Sequence, residues 1–300
     1  MLTRLARVRV LRRFALPVLK MFGSSDITIR HHWWPEFRVR LNAYKHRGYW
    51  FKGRNREREI MKAMATLAKP GGTVVEVGGH IGYVTLHLRG SVGNAGKVVV
   101  FEPGPNNLPY IKTNIAPFDN ITLVEAACGD HDGEVDFWIE GLSGQNNSLD
   151  QQYKNFDANR KNAFSHENMK RITVRMTKLD SYLAATGLRP SLMKIDVEGA
   201  ENLVLRGAER CLEEIRPTII VEVTEHADEV AALMSRHRYR WRSDGNPEWI
   251  CEPEEVPDGA DNDRRWRRRP WPRRSARRGC RRRGRAGPWS SPRHRGRPCR

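Results

Sequence analysis

TVVEVGGHIG, residues 73 to 82, is the stretch whose reading decides the fold. Val74, Val75 and Val77 make a short apolar run around one acid, Glu76, and the run ends in Gly78, Gly79 and Gly82. Such a run reads as a buried strand. The glycines read as a turn where backbone must come close to a ligand, because a residue without Cβ takes positive φ and does not block the approach. A tight strand-to-helix turn with no ligand would use the same residues, and two later features decide between these readings.

Working outward, YVTLHLRGSVG predicts a helix with Ile81, Val84 and Leu88 facing inward, and GKVVVFEPG, residues 96 to 104, predicts a second strand. Strand, helix and strand form a right-handed, parallel βαβ unit. Its acid, Glu102, stands 20 residues after Gly82. An acid at the tip of the second strand is placed to accept hydrogen bonds from ribose hydroxyls. Upstream, Asn55 reads as the N-cap of a helix over REREIMKAMATLAK, with Ile60, Met64 and Leu67 on one face. Pro70 and Gly71 end it.

The glycine spacing narrows the ligand. A dinucleotide turn needs GxGxxG, but counting from Gly78 puts His80 and Tyr83 where the second and third glycines belong. No GK[ST] follows, which excludes a Walker phosphate loop. What is left is an acid, a spacer, Gly, three spacers and Gly. This turn can hold a nucleoside and an amino-acid moiety, and it points to S-adenosylmethionine, with Glu76 near the ammonium end and Glu102 on the ribose.

ITLVEAACGD, residues 121 to 130, is expected as the third strand, its C-terminal end beside the adenine. Ala127 and Cys128 would touch the ring and Asp130 would accept from its amino group. No basic residue flanks Cys128, so it reads as a small buried residue and not as a nucleophile. GEVDFWIE alternates like a half-buried strand, and GLSGQNNSLDQQYKN, residues 141 to 155, has the composition of a mobile loop that could cover substrate.

The second diagnostic stretch is SLMKIDVEGAENLVLRGA, residues 191 to 208. By period two, Met193, Ile195 and Val197 share one strand face, which leaves Lys194, Asp196 and Glu198 on the other. A central parallel strand is normally apolar on both faces, and ionisable groups at its end are costly unless they are paired or used. Asp196 is read as facing the site. Lys194 could instead pair with it structurally, and Glu201 could serve as a helix cap. RPTIIVEV supplies a further strand whose tip acid, Glu222, lies next to Asp196 if the two strands are neighbours. Two adjacent carboxylates would also suit Mg²⁺, although no metal is assigned.

VEVGGHIGYVTL, VVVFEPGPNN, LVEAACGD and above all MKIDVEGAENLVLRGA with PTIIVEV resemble the FkbM family of S-adenosylmethionine-dependent methyltransferases over about residues 48 to 255. The resemblance implies the class I methyltransferase fold, a doubly wound, mostly parallel α/β sheet with helices on both faces, and O-methylation of sugars, glycolipids or polyketides. It further implies that Glu76, Gly78, Gly79, Gly82, Glu102, Ala127, Cys128 and Asp130 bind cofactor. Lys194, Asp196, Glu198 and Glu222 would sit at the reacting end, with Asp196 as the base. One departure is Gly79, where alanine is common in the family, and it is expected to be harmless. The expected organisation is a basic, aromatic extension over 1–47, a methyltransferase domain over 48–256 and a tail over 257–300.

Composition qualifies the charge. Residues 261–300 hold 17 Arg and 2 Asp, a net +15, so only +3 of the whole-chain +18 belongs to residues 1–260. From Arg264 onward there is no Leu, Ile, Val or Phe to form a core, which reads as disorder in isolation. Interleaved Arg and Trp could bind nucleic acid or an anionic membrane, so an RNA-binding or RNA-methylating protein is the rival reading. An unselected extension is the simpler account. Five cysteines without CxxC spacing argue against a disulfide framework or zinc site and suit a reducing cytoplasm. MLTRLARVRVLRRFALPVLKMF at the start could rest on an anionic membrane as a basic amphipathic helix. His31 and His32 read as packing residues. Trp33, Trp34, Tyr49 and Trp50 either line a substrate mouth or cover the sheet, packing being expected for most.

Overall fold

The computed structural model describes residues 25–141, 143–145, 147–149, 170–243 and 247–255. The basic stretch at 1–22, most of the 141–170 loop and the Arg-rich tail lie outside the described residues.

A hairpin of β1 (Asp26–Arg30) and β2 (Arg38–Asn42) precedes α1 (Arg47–Lys52) and α2 (Arg58–Leu67). The deciding stretch folds as β3 (Thr73–Val77), followed by α3 (Tyr83–Val92), β4 (Lys97–Phe101), α4 (Leu108–Ile115) and β5 (Ile121–Val124). Next come β6 (Ala127–Cys128), β7 (Gly133–Ile139) and β8 (Lys170–Thr177), then α5 (Leu179–Thr186), β9 (Leu192–Ile195) and α6 (Glu201–Arg206). The last elements are β10 (Thr218–Glu222), α7 (Ala227–Arg236), β11 (Tyr239–Arg242) and β12 (Glu248–Pro253).

The central sheet runs β11-β12-β10-β9-β3-β4-β5. Strands β10, β9, β3, β4 and β5 are parallel, and β12 is antiparallel to both its neighbours. Its inner strands bury both faces, as a parallel sheet covered by helices requires. Val75, Val77, Val99, Met193 and Ile195 pack under α5, α6 and α7 through Leu179, Val204 and Val230. Val74, Val98, Val100, Leu192 and Ile220 pack under α2, α3 and α4 through Met64, Leu86 and Ile111. Truncating one of these core side chains, such as Leu86→Ala, costs about 2–5 kcal/mol.

Chain order reverses at β3. Strands β4 and β5 lie on one side of it and β9 and β10 on the other, so the crevice beyond the C-terminal ends of β3 and β9 is the topological switch point, where open α/β sheets bind ligands.

Four expectations change. The third strand stops at Val124, and Ala127 and Cys128 turn away to pair with Met176 and Thr177 in a separate sheet ordered β6-β8-β7. Strand β9 ends at Ile195, so Glu198 belongs to the following turn, with φ 54°, and not to the strand face shared with Lys194. Helix α2 begins at Arg58 with Glu57 in the left-handed N-cap position, because Asn55 is taken up in a short 3₁₀ turn. The hairpin within 26–42 packs into the body, with Val39 and Leu41 fully buried and the Asn114 side chain bonded to the Arg40 main chain from both sides. Residues 26–42 therefore supply part of the core.

The aromatic lead-in mostly packs, as expected. His31 is buried, donating from Nε2 to the Tyr83 carbonyl and accepting the Trp33 and Trp34 N–H groups at Nδ1. Trp34 donates to His87 and fills the space a side chain at Gly90 would need. Tyr49 is the exception, because it lines the cleft.

Candidate active site

The cleft at the switch point is lined from four directions. Glu76 to His80 come from the β3 turn, Phe101 to Pro103 from the end of β4, and Lys194 and Asp196 to Glu198 from the end of β9. Tyr49, Arg56 and Glu57 close it from the N-terminal side.

Register explains the polar row. Glu76 lies opposite Lys194 on the neighbouring strand, and Lys194 lies opposite Ile220 on the next. By period two Glu222 then falls on the same face as Ile220, one step past the Val221–Ile195 pair, which sets it beside Asp196. The neighbourhood expected of Glu222 and Asp196 is therefore observed.

Glu76 is fully buried, and among the described residues neither oxygen has a well-formed hydrogen bond, the Thr85 hydroxyl being the side-chain donor beside it. Burial pushes its carboxyl up to about 8, against the opposing pull of Lys194. Lys194 is itself buried and pairs with Asp196. Burial works against the ammonium, but Asp196, Glu76 and Glu222 outweigh it and raise its pKa. The Glu222 carboxyl is raised chiefly by the Asp196 charge and next by burial. Asp196 keeps 29% of its side chain exposed, so it is open to an incoming group where Glu76 is not.

The glycine turn is shaped by close approach. A Cβ on Gly78, at φ 93°, would stand 1.8 Å from the Asp196 carbonyl oxygen. Gly79 is equally confined, since a Cβ there would lie 2.4 Å from Val100 Cγ2. This chain's valine takes the room that an alanine at 79 would need. Gly82 lies outside the lining, and its φ of 83° carries the chain into α3.

At the tip of β4, Glu102 accepts the His80 N–H at Oε2 (2.7 Å) and the Gly104 N–H at Oε1 (2.8 Å). Burial lifts its carboxyl to about 7, and these donors oppose the rise. Ala127 and Cys128 line the cleft, and burial raises the Cys128 thiol well above its ordinary value, which leaves it unreactive. Asp130 does not line the cleft. It sits exposed beside the His131 ring, because the chain has already turned into β6. Glu201 folds back onto the Gly199 N–H at 2.9 Å, the cap role weighed for it.

Three groups went unassigned from sequence. His80 accepts the Tyr49 hydroxyl at Nδ1 (2.9 Å), and its Nε2 meets the Ser143 carbonyl at 2.8 Å. The His46 Nε2 meets the same carbonyl at 3.1 Å. A carbonyl only accepts, so both rings carry their proton on Nε2. Burial holds His46 down to about 4 and His80 well below its ordinary value. Two neutral histidines therefore pin the start of the predicted mobile loop over the cleft. Asn107 adds a bond to the Gly144 carbonyl at 3.0 Å. Arg56 is the third such group, stacked on the Tyr49 ring and paired with Glu57.

Among the described residues, no group of three or more His, Cys, Asp or Glu is arranged to hold a metal ion, and no helix is long and apolar enough to cross a membrane.

The sequence profile of the Methyltransferase FkbM domain matches residues 76–241, from the acid of β3 to the edge strand β11. The chain belongs to the FkbM methyltransferase family. The match begins at Glu76, so the FkbM profile does not reach His46, Tyr49 or Arg56. The 2-O-methyltransferase NoeI of Sinorhizobium fredii is 27% identical over 161 residues, which is 51% of this chain and 64% of that protein. Methyltransferase 1 of Beauveria bassiana is 26% identical over 168 residues, 53% of this chain and 67% of that protein. The match to NoeI thus spans less than two thirds of its length. Among solved structures, an FkbM methyltransferase from Methylobacillus flagellatus aligns with a TM-score of 0.42 at 16% identity, covering 64% of this chain and 50% of that one. Fibrillarin from Aeropyrum pernix, crystallised with S-adenosyl-L-methionine, aligns with a TM-score of 0.37 at 14% identity, covering 64% and 73%.

Proposed function

We propose that this chain is an S-adenosylmethionine-dependent O-methyltransferase acting on a hydroxyl of a sugar, glycolipid or polyketide-type small molecule, with Asp196 as general base. The observation that carries the reading is the fully buried Glu76 carboxyl, which lines the switch-point cleft and has no main-chain donor to either oxygen among the described residues, only the Thr85 hydroxyl and the Lys194 charge close by. Burying such a group unpaired is costly, and a ligand ammonium would relieve the cost. The residues present fit the cofactor: Glu76 would hold its ammonium, Glu102 its ribose hydroxyls, and Phe101, Ala126, Ala127 and Cys128 offer a largely apolar wall for the adenine. When bound, it supplies a sulfonium-activated methyl group.

Methyl transfer is an in-line displacement that asks the protein mainly to position the nucleophile. The Lys194 pair with Asp196 supports a role for the lysine in holding that carboxylate in place for the acceptor. Asp196 takes the proton of the acceptor hydroxyl, and Glu222 beside it is the second candidate. NoeI, a 2-O-methyltransferase by name, supports oxygen as the methylated atom.

The rival reading, RNA binding or RNA methylation through the tail, finds no support at the cleft. Among the described lining residues the two cations are already matched, Arg56 by Glu57 and Lys194 by Asp196, which leaves no surplus positive charge for a polyphosphate. A cytoplasmic setting, with membrane contact through residues 1–22, belongs to the same proposal and rests on sequence. The test is labelled-methyl transfer to cell extract by the wild type and Asp196→Asn. Loss of about a hundredfold or more in rate, with cofactor affinity retained, is expected. Full activity of Asp196→Asn would remove Asp196 from the mechanism.

A further inference from the structure

Tyr49, Arg56 and Glu57, which line the cleft, come from ahead of the family match at 76–241. The Arg56 side chain is only 16% exposed, and its guanidinium carbon lies over the Tyr49 ring, 4.2 Å from the centroid. Its Nη2 pairs with Glu57 Oε1 at 2.8 Å, while its Nε is buried without a partner. Gly48 leaves the room, since a Cβ there would come within 3.0 Å of Arg56 Nη1. Tyr49 is fixed in turn by its hydroxyl on His80, whose main chain is bonded to Glu102. The Arg56 platform is thereby tied to the turn proposed to hold the cofactor.

This arrangement has a chemical preference. Arg56 is already matched by Glu57, so it offers directional N–H donors without a surplus of positive charge, and Glu57 offers acceptors beside them. A donor and an acceptor side by side complement a pair of neighbouring hydroxyls, each of which both donates and accepts. Among the described lining residues Arg56 is paired with Glu57 and Lys194 with Asp196, so no unmatched cation is left to hold a phosphate or carboxylate group.

We infer that Arg56, with Glu57 and the Tyr49 ring, is the positioning site for the methyl acceptor, and that the acceptor is an uncharged vicinal diol such as a neutral sugar. The inference rests on the O-methyltransferase reading. Arg56 holds the hydroxyl adjacent to the one that Asp196 deprotonates. It is a positioning residue and takes no part in the proton transfer.

The test uses the full chain with labelled S-adenosylmethionine. The acceptors are a panel of neutral methyl glycosides, their monodeoxy analogues, and the corresponding sugar phosphates and uronic acids. Wild type is expected to methylate a diol-bearing glycoside in preference to its deoxy analogue and to both anionic forms. Arg56→Gln raises KM for that glycoside by about tenfold to a hundredfold and abolishes the diol preference. Arg56→Lys keeps the charge but lacks the planar fork, so it also loses the preference. Calorimetry shows cofactor affinity within about threefold of wild type in both variants. Retained diol preference in both variants overturns the inference. So does preferred methylation of the anionic sugars, or wild type that binds cofactor yet methylates none of the neutral glycosides. Absence of cofactor binding by wild type would overturn the O-methyltransferase reading itself.

Discussion

Gly78 and Asp196 are in main-chain contact across the switch point: the Asp196 N–H donates to the Val77 carbonyl at 2.9 Å, and the Asp196 carbonyl oxygen fills the space a Cβ on Gly78 would occupy. The turn proposed to hold the cofactor and the proposed base therefore move as one unit. Gly78→Ala must displace main chain and take a left-handed φ at the same time. Expected is a loss of about 3 kcal/mol or more in stability by urea titration, or failure to accumulate folded protein. A variant as stable as wild type would show that the two strand ends are not held as described.

Glu76 makes a pH prediction whose sign can be worked out. Its folded-state pKa is raised from 4.5 to about 8. Below 4.5 both folded and unfolded states carry the proton and nothing is lost. As pH rises, the unfolded chain releases its proton first, so stability falls between about 4.5 and 8 and levels off above. The contribution is at most about 5 kcal/mol at ~1.4 kcal/mol per pH unit. Without cofactor, wild type should be less stable at pH 8 than at pH 5.5. Glu76→Gln should flatten that slope by about 2 kcal/mol or more. An unchanged slope in denaturant titrations at the two pH values would mean that another group carries it.

The His46 and His80 pair predicts a loop insensitive to physiological pH. Both rings are held neutral, His46 down to about 4, so docking of residues 143–145 should be constant from pH 6 to 8. Amide exchange in this segment, corrected for intrinsic rate, is the measurement. Replacing both histidines by alanine should speed it by about tenfold or more, as two hydrogen bonds to the Ser143 carbonyl are lost. Exchange that accelerates in wild type between pH 8 and pH 6 would contradict the neutral assignment.

What the sequence made legible follows from local physics. The valine runs of β3 and β4, with a glycine turn between them, specify a buried βαβ unit by composition and period alone. Glu102 and Asp196 stand out because an acid at the end of an apolar strand has few structural uses. The illegible part depends on contacts far along the chain. Strand β5 stops before Glu125 and the chain then enters a second sheet with β8, some fifty residues later, which nothing in ITLVEAACGD announces. A strand that ran on to Asp130 would bring that acid to the cleft, and the turn into β6 removes it. Arg56 reads as one more charge in a helical stretch, and only the folded position of Tyr49 and Glu57 turns it into a cleft residue. His80 occupies a failed glycine position in sequence. Its link to Tyr49, Ser143 and Glu102 needs three separate segments to meet.

The most direct test of the account is titration of purified protein with S-adenosylmethionine by calorimetry, for wild type and Glu102→Ala. One molecule should bind per chain with a dissociation constant in about the micromolar range. Glu102→Ala should weaken binding by about tenfold or more, since it removes the proposed ribose acceptor and releases the His80 and Gly104 N–H groups. Binding by wild type that Glu102→Ala leaves untouched, or no binding by folded wild type at about 100 micromolar ligand, would contradict the assignment of this cleft.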